Sequence, residues 1–471
     1  MFYKRRQQIK APIQVDEYGK FKPVHSILVL AWPVVIEMGL HTFVWIFDTA
    51  MVMRLGAHEA TAVEYGAIVL FDSLMILGAL GIGANALVAR YTGAKDMERA
   101  ALTGGQALSI SFAITAGFTT LGILLYDSFF TWIITDQVTL ALTKDYFYYT
   151  LTSGGFGVLT ILVASGIIRG TGNTRVPMII ALIFNAYNVI GDYLLIFGNF
   201  GFPALGVKGA ALATGSAQLI GLFLSIAYLL FCKSDLPFSL RSLFPWRFDI
   251  IKQVLKLSIP AGMEELTHSG SRMITSSWIT VLGPVAFAAN AAAIAAEAFS
   301  FMPGQAFAVS ATTLVGQRLG AGFIKQARDT GYWAVALGTI LMTLFGLVFL
   351  FFPYLIMSLF DPPDPEVLRI GIICLQIAAV EQPFIAMTMV FSGALKGTGD
   401  SRGPFKVGLY SNLLVRLPLI YAVVYIFKMD IYYIWWVTAI QYAVSALMLF
   451  IMYRRKKWHN LEPIPTIENV G

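Results

Sequence analysis

Asp48 and Asp192 are carboxylates set in otherwise apolar stretches, each about five residues from the end of its stretch. A charged group in hydrocarbon is costly, so such a residue faces a cavity and works there. Asn185, Asn188 and Asp192 are spaced three and four apart and form one stripe on a helix. Thr214 ends the run Gly209-Ala210-Ala211-Leu212-Ala213-Thr214, whose small side chains let helices approach closely. If these stretches are antiparallel helices, Asp48, Asn185, Asn188, Asp192 and Thr214 meet at one depth. Two neighbouring carboxyls in a cavity take up a proton, because burial and mutual repulsion oppose the doubly charged form. Carboxylate, amide and hydroxyl oxygens are also hard ligands for Na⁺, which makes Asp48, Asn188, Asp192 and Thr214 a candidate Na⁺ site. The residue types do not choose between H⁺ and Na⁺. The plainer alternative is that both acids pair with capping donors or polar neighbours.

Four more acids, Glu37, Glu264, Glu297 and Glu381, lie in apolar stretches. Glu37 and Glu264 each stand four residues after a proline, Pro33 or Pro260, and His41 and His268 follow them at equal spacing. These residues suit two roles. They line an inner substrate cleft and draw in cationic compounds, or they join a structural network with Thr42, Ser269 or Gln305. For His41 and His268 the plainer reading is a packed neutral ring.

The elements that position these groups follow from composition. Apolar residues make up 57% of the 471, charged residues 13%, and the mean hydropathy is +0.71. Soluble chains carry roughly 25% charged residues. Apolar runs of about 20 residues recur, each long enough to span a bilayer as a helix and too long for barrel strands. Twelve spans are expected, near 26–53, 62–89, 104–125, 138–168, 176–197, 207–232, 253–281, 286–315, 331–356, 367–395, 405–427 and 432–453. With both termini in the cytoplasm, most of the 33 basic residues fall on the inner side, and only Arg54, Lys208, Arg369 and Lys428 stand at outer edges. That bias orients helices on insertion. The net charge of +6 is therefore a topology signal, and no nucleic-acid partner is expected. The first apolar run is too long for the core of a cleavable signal peptide. Cys232 and Cys374 fall in different spans, which predicts no disulfide.

The chain also repeats itself. Arg169-Gly170-Thr171-Gly172-Asn173-Thr174-Arg175 returns as Lys396-Gly397-Thr398-Gly399-Asp400-Ser401-Arg402. At the same offset Pro33 maps onto Pro260, Glu37 onto Glu264, His41 onto His268, Gly56 onto Gly283, Val88 onto Val315, Gly93 onto Gly320 and Asn185 onto Asn412. Each unit holds six spans, an even number, so both copies enter the membrane in one orientation. The expected fold is an all-α polytopic membrane protein: two six-helix bundles related by a pseudo-twofold axis along the membrane normal, with a cleft between them. The expected divisions are a cytoplasmic segment 1–25, bundles 26–232 and 253–453, a linker 233–252 and a tail 454–471. The repeated phrase lacks the GxxxxGK spacing of a phosphate loop and reads as a tight hairpin, with glycine for the turn and Thr or Asn to cap the next helix near Pro177 or Pro404. Leu240–Phe248 is amphipathic and suits either a membrane-surface segment or a linker. Tyr146–Tyr149 and Tyr432–Trp436 suit interfacial aromatic belts.

From about residue 20 to 453 the chain resembles the multidrug and toxic compound extrusion (MATE) family, most closely its DinF-like branch. The residues that carry the resemblance are Pro33 and Asp48, the stretch Asn185-Ala186-Tyr187-Asn188-Val189-Ile190-Gly191-Asp192-Tyr193, the run ending at Thr214, and the duplicated glycine phrase. The resemblance implies an inner-membrane antiporter, working as a monomer without a cofactor, that exports amphipathic, often cationic small organic molecules against H⁺ or Na⁺. It implies that Asp48, Asn188, Asp192 and Thr214, with Asn185 alongside, are the ion-coupling residues. In another branch, acids in helices 7 and 10 share the work; Glu264, Glu265 and Glu381 are near those places at a different spacing. The superfamily also holds flippases for lipid-linked oligosaccharides, which would want a more cationic cavity; here the basic residues sit mostly in loops. No HExxH, GxSxG or metal-ligand cluster points to an enzyme.

Overall fold

The computed structural model describes residues 22–154, 157–232, 236–360 and 364–456. The first half consists of α1 (Pro23–Met53), α2 (Ala57–Gly93), α3 (Met97–Ile133), α4 (Gln137–Ser153), α5 (Gly157–Gly170), α6 (Arg175–Phe197) and α7 (Val207–Phe231). A short α8 (Leu240–Leu243) lies in the connection. The second half consists of α9 (Phe248–Ile279), α10 (Pro284–Gly320), α11 (Ile324–Phe351), α12 (Pro353–Ser358), α13 (Pro365–Gly397), α14 (Arg402–Tyr410), α15 (Leu417–Tyr421) and α16 (Ile431–Arg455).

Among the described residues, nine helices are long and apolar enough to cross a membrane, and ten if α4 and α5 form one broken span. The remaining two crossings are α2 and α9. They lie between the halves and pack on each other, so fewer of their side chains need to suit lipid. The protein is thus a multi-pass helical membrane protein with the twelve-span, two-bundle layout read from the sequence.

Three local features differ from that reading. The fourth span breaks between Ser153 and Gly157. The eleventh passes through two π-helical stretches, Ser411–Arg416 and Ala422–Ile426, on either side of Leu417-Pro418. Proline has no N–H to donate, and the backbone around it widens to wider-looped hydrogen bonds. Finally, α9 begins at Phe248, within the stretch read as linker.

The linker does not float. Gln106 of α3 donates to the carbonyls of Ser242, Leu243 and Pro245 (2.9, 3.2 and 3.2 Å) and accepts from the Arg247 amide (2.8 Å). Trp246 donates to Ser109 (2.6 Å). One buried amide thus satisfies a turn that has few internal bonds of its own. Leu240, Phe244 and Phe248 stay exposed.

The repeated phrase builds the same turn twice. Gly172 and Gly399 adopt φ of +91° and +84°, open to glycine at no steric cost. The Thr171 and Thr398 hydroxyls each donate to a carbonyl three residues back, both at 2.7 Å. Asn173 Oδ1 accepts from the Val176 amide (3.2 Å) and Asp400 Oδ1 from the Gly403 amide (2.9 Å), so each helix that follows is capped from inside the phrase. This is the hairpin expected from the sequence.

The halves meet with reciprocal contacts. A side chain at Gly93 would strike the Gln317 carbonyl, and one at Gly320 would strike the Arg90 carbonyl. Arg90 and Gln317 occupy equivalent places in the two repeats, so each half offers the other the same surface, as around a twofold axis. Asn85 Oδ1 accepts from Thr313 (3.0 Å), and Gln317 donates to the Gly170 carbonyl (3.0 Å). All these contacts lie at the end of the bundle where α2, α5, α10 and α13 finish, called here the basic end for its Arg90, Arg169, Arg318 and Lys396.

Two outcomes are expected from this packing. Gly320→Ala sets a methyl against a backbone oxygen that cannot swing aside. Hydrogen–deuterium exchange of the peptides carrying residues 169–175 and 396–402 should then speed up by about tenfold or more, through easier local opening. At the opposite end Asp136 caps α4. Bonds from the Thr139 hydroxyl and amide, and the neighbouring His58, hold its carboxyl below the usual carboxylate range. A carboxylate held low stabilises the fold above its unfolded-state pKa and loses that effect as pH falls through the folded value. Asp136→Ala should lower the thermal midpoint at pH 7, and the gap to wild type should close below about pH 4.

Candidate functional site

α1 brings Asp48, and α6 brings Asp192, to similar depth at the end opposite the basic one. Small residues let the helices close up. A side chain at Gly209 of α7 would strike the Leu195 carbonyl of α6, and one at Gly191 would come within 3.1 Å of the Ala213 methyl. The run Gly209–Thr214 therefore does the close packing expected of it, and turns the Asp192 face of α6 toward α1 and α4.

The Asp48 and Asp192 carboxyls lie side by side, close enough to interact directly. Asp192 is 1% exposed. Asn188 Nδ2 donates to Asp192 Oδ2 at 3.1 Å. Asp48 Oδ1 and Asp192 Oδ1 are buried without a hydrogen-bond partner. Two buried carboxyls this close oppose the doubly charged form of the pair.

Tyr146 of α4 completes the site. Its hydroxyl lies beside Thr150 and Thr214 of α7, and both aspartates lie within electrostatic reach. The sequence reading placed Tyr146 in an interfacial belt. That is corrected here: Tyr146 is 6% exposed and packs on Gly66, whereas Tyr148 does face outward. Its neighbours on α4 gave no local sign of this; only the meeting of α4 with α2 and α7 buries it. Asn185 is buried two turns from Asp192, with its amide nitrogen unpartnered.

The other candidates do not form an open cleft wall. Glu37 pairs with Arg169, Nη2 to Oε1 at 2.5 Å. Glu264 pairs with Lys396 at 2.9 Å and accepts from Ser392 at 2.9 Å. Glu297 and Glu381 lie side by side, and Gln382 donates to Glu297 at 3.0 Å. Each of these four acids has a polar or charged neighbour inside its own half. Those contacts are of the kind the network alternative expected, with partners other than Thr42, Ser269 or Gln305. Isolated carboxylates in this setting would be too costly to keep. His268 packs beside Asn412 at 3.4 Å, and His41 stacks near Phe184 at 5.6 Å.

Two cations sit where the sequence reading had placed none. Arg272 of α9 and Arg416, at the end of the first π-helical stretch, lie inside spans. Arg272 donates to Ser269 at 3.0 Å, stands 3.9 Å from Glu265, and remains 62% exposed. The repeat places Thr275, Leu419 and Gln441 where the first half has Asp48, Asp192 and Thr214, so the aspartate pair exists in one half only.

A sequence profile of the MatE family matches residues 33–194 and again 260–422. The chain belongs to the MatE family. The two matches open on the repeat-related prolines of this MatE protein, so the family unit is the single repeat. A probable multidrug resistance protein NorM of Thermotoga maritima is 27% identical over 87% of this chain and 88% of its own length. An uncharacterized transporter, YisQ of Bacillus subtilis, is 25% identical over 84% and 86%. A MOP superfamily transporter from Pyrococcus furiosus superposes with a TM-score of 0.86 at 22% identity, covering 94% of this chain and 97% of that one. An outward-facing multidrug resistance MATE family transporter gives 0.86 at 21% identity, covering 94% and 97%. These structures share the fold.

Tyr146→Phe keeps the ring that packs on Gly66 and removes only the hydroxyl. It should change stability by no more than about 1 kcal/mol, the scale of a single buried polar contact. In a transport assay it should move the pH midpoint of ion-driven exchange, and Thr214→Val should move it the same way.

Proposed function

We propose that this MatE protein is a proton-coupled antiporter that exports amphipathic, often cationic organic compounds by alternating access. The observation that carries this reading is the close approach of the buried Asp48 and Asp192 carboxyls, each with an unpartnered oxygen, with Asn188 donating to Asp192. The pair stands in one half only, a place where a single small ion can be exchanged. Curated relatives named as multidrug resistance proteins, among them MdtK of Yersinia pestis at 25% identity, support the substrate class.

The mechanism follows from charge. The basic end faces the cytoplasm, since basic loops stay inside on insertion. The protein lies in the inner membrane with both termini cytoplasmic and acts as a monomer. The seam formed by Gly93, Gly320 and Gln317 then closes the cytoplasmic side, and the aspartate pair is reached from outside. A proton from outside neutralises the pair, and a cationic compound held by it loses its counter-charge and leaves. The halves then rock, the proton escapes inward, and the freed carboxylate attracts the next cation. Coupling requires that proton and compound compete for one charge. Pro33, which lacks a donor inside α1, is the natural place for that helix to bend.

The test is reconstituted protein in vesicles with pH and Na⁺ gradients imposed separately. The expected outcome is drug exchange driven by the pH gradient alone, falling to background in Asp48→Asn and Asp192→Asn. Exchange driven by Na⁺ alone would reassign Asp48, Asn188, Asp192 and Thr214 as Na⁺ ligands. Full activity in both variants would remove their role.

One observation favours a second reading, a flippase for lipids or lipid-linked oligosaccharides. An exposed guanidinium inside a span, as at Arg272, suits an anionic head group. Labelled-lipid flipping by the same vesicles, lost in Arg272→Gln, would select that reading over drug export.

A further inference from the structure

The duplicated ion pairs Glu37–Arg169 and Glu264–Lys396 have no part in the exchange just described. They lie on equivalent positions of the two repeats, and both are largely buried: Arg169 and Glu37 are 14% and 8% exposed, Lys396 and Glu264 13% each. Buried ion pairs are poor sources of stability, because desolvation offsets their attraction. A pair kept in both copies, while most residues around Glu37 and Glu264 differ, points to a role in fixing position.

What the first pair joins is visible in the structure. Glu37 and Asp48 stand about three turns apart on one face of α1. Arg169 ends α5, and the next residue, Gly170, gives its carbonyl to Gln317 of the other half at 3.0 Å. A side chain at Gly172 would stand 3.2 Å from the same Gln317 amide. The second copy points the opposite way: a side chain at Gly399 would stand 3.8 Å from Arg90 Nη1 of the first half. Both phrases thus touch the seam, and each is held by a basic residue to the first helix of its own half.

We infer that the Glu37–Arg169 pair is a positioning link that carries the state of Asp48 along α1 to the seam between the halves. Movement of α1 above Pro33 shifts Glu37. Arg169 follows its counter-ion, and the Gly170–Gln317 contact strengthens or breaks. Glu264–Lys396 ties the second phrase to α9 in the same manner. At the place of Asp48, α9 carries Thr275, so this second link holds its side of the seam without responding to a proton. The inference rests on the reading of Asp48 and Asp192 as the coupling pair. Its test uses neither drug nor gradient, so the two stand or fall separately.

The experiment uses the full-length chain in nanodiscs, with Cys232 and Cys374 replaced by serine and spin labels on cysteines at Ala94 and Ala321, the residues that end α2 and α10. Asp48→Asn imitates the neutral acid. In the otherwise native protein it should change the ratio of short to long label distances by about tenfold, within the usual range of coupling between sites. With Glu37→Gln the response to Asp48→Asn should fall below about twofold. Arg169→Gln breaks the pair from the other side and serves where Glu37→Gln does not assemble. The charge-exchanged double variant E37R/R169E should restore the response. Glu264→Gln should shift the distances alone and leave the response to Asp48→Asn intact. The link is overturned if Asp48→Asn acts equally with and without Glu37, if it has no effect on the native seam, or if Glu264→Gln abolishes the response as Glu37→Gln does. Proton-driven export that persists alongside any of these outcomes leaves the antiporter reading standing.

Discussion

An ion inside a bundle that crosses a membrane must find an opposite charge, share a proton or face water. Among the described residues, each acid discussed here meets that demand in one of these ways. Glu37 and Glu264 take a cation. Asp48 with Asp192, and Glu297 with Glu381, stand as adjacent carboxyls that can hold a proton between them. Glu265, near Arg272, keeps an exposed side chain. The rest of the architecture is arranged so that these partners can meet. Small residues at Gly191 and Gly209 bring α6 and α7 close, α4 carries Tyr146 inward, and α5 carries Arg169 to Glu37 at the far end.

Duplication divides the molecule into what both copies keep and what only one has. Both keep the glycine phrase, its side-chain caps, the helix proline, the Glu–His spacing and the reciprocal seam of α2 on α10. These are the parts that build the hairpin and the seam in each half. Only the first half has Asp48, Asp192 and Tyr146, and only the second has Arg272, Arg416 and the Glu297–Glu381 pair. The two halves therefore differ in charge: a buried pair of aspartates in one and an exposed guanidinium in the other.

Much of this was legible from the chain. Composition and run length require helices in a membrane, because backbone in hydrocarbon must satisfy itself. The constant offset between Pro33 and Pro260, or Gly93 and Gly320, shows the duplication. The spacing of Asn185, Asn188 and Asp192 puts them on one face, since an α-helix fixes the azimuth of every side chain. The run from Gly209 to Thr214 announces close packing. These are all properties of one segment at a time.

Partnership between segments was decided by the tertiary structure. Nothing local in Glu37 or Arg169 shows that they meet, or that Glu297 meets Glu381. Tyr146 sits in a row of tyrosines that reads as an interfacial belt, and only the approach of α2 and α7 buries it. Arg272 and Arg416 escaped notice because a loop count of basic residues passes over those within spans. The physical reason is one of degrees of freedom. Sequence periodicity fixes which face of a helix is polar, while the rotation and axial shift of distant helices set which polar faces touch. Those two variables exist only once the whole bundle has packed.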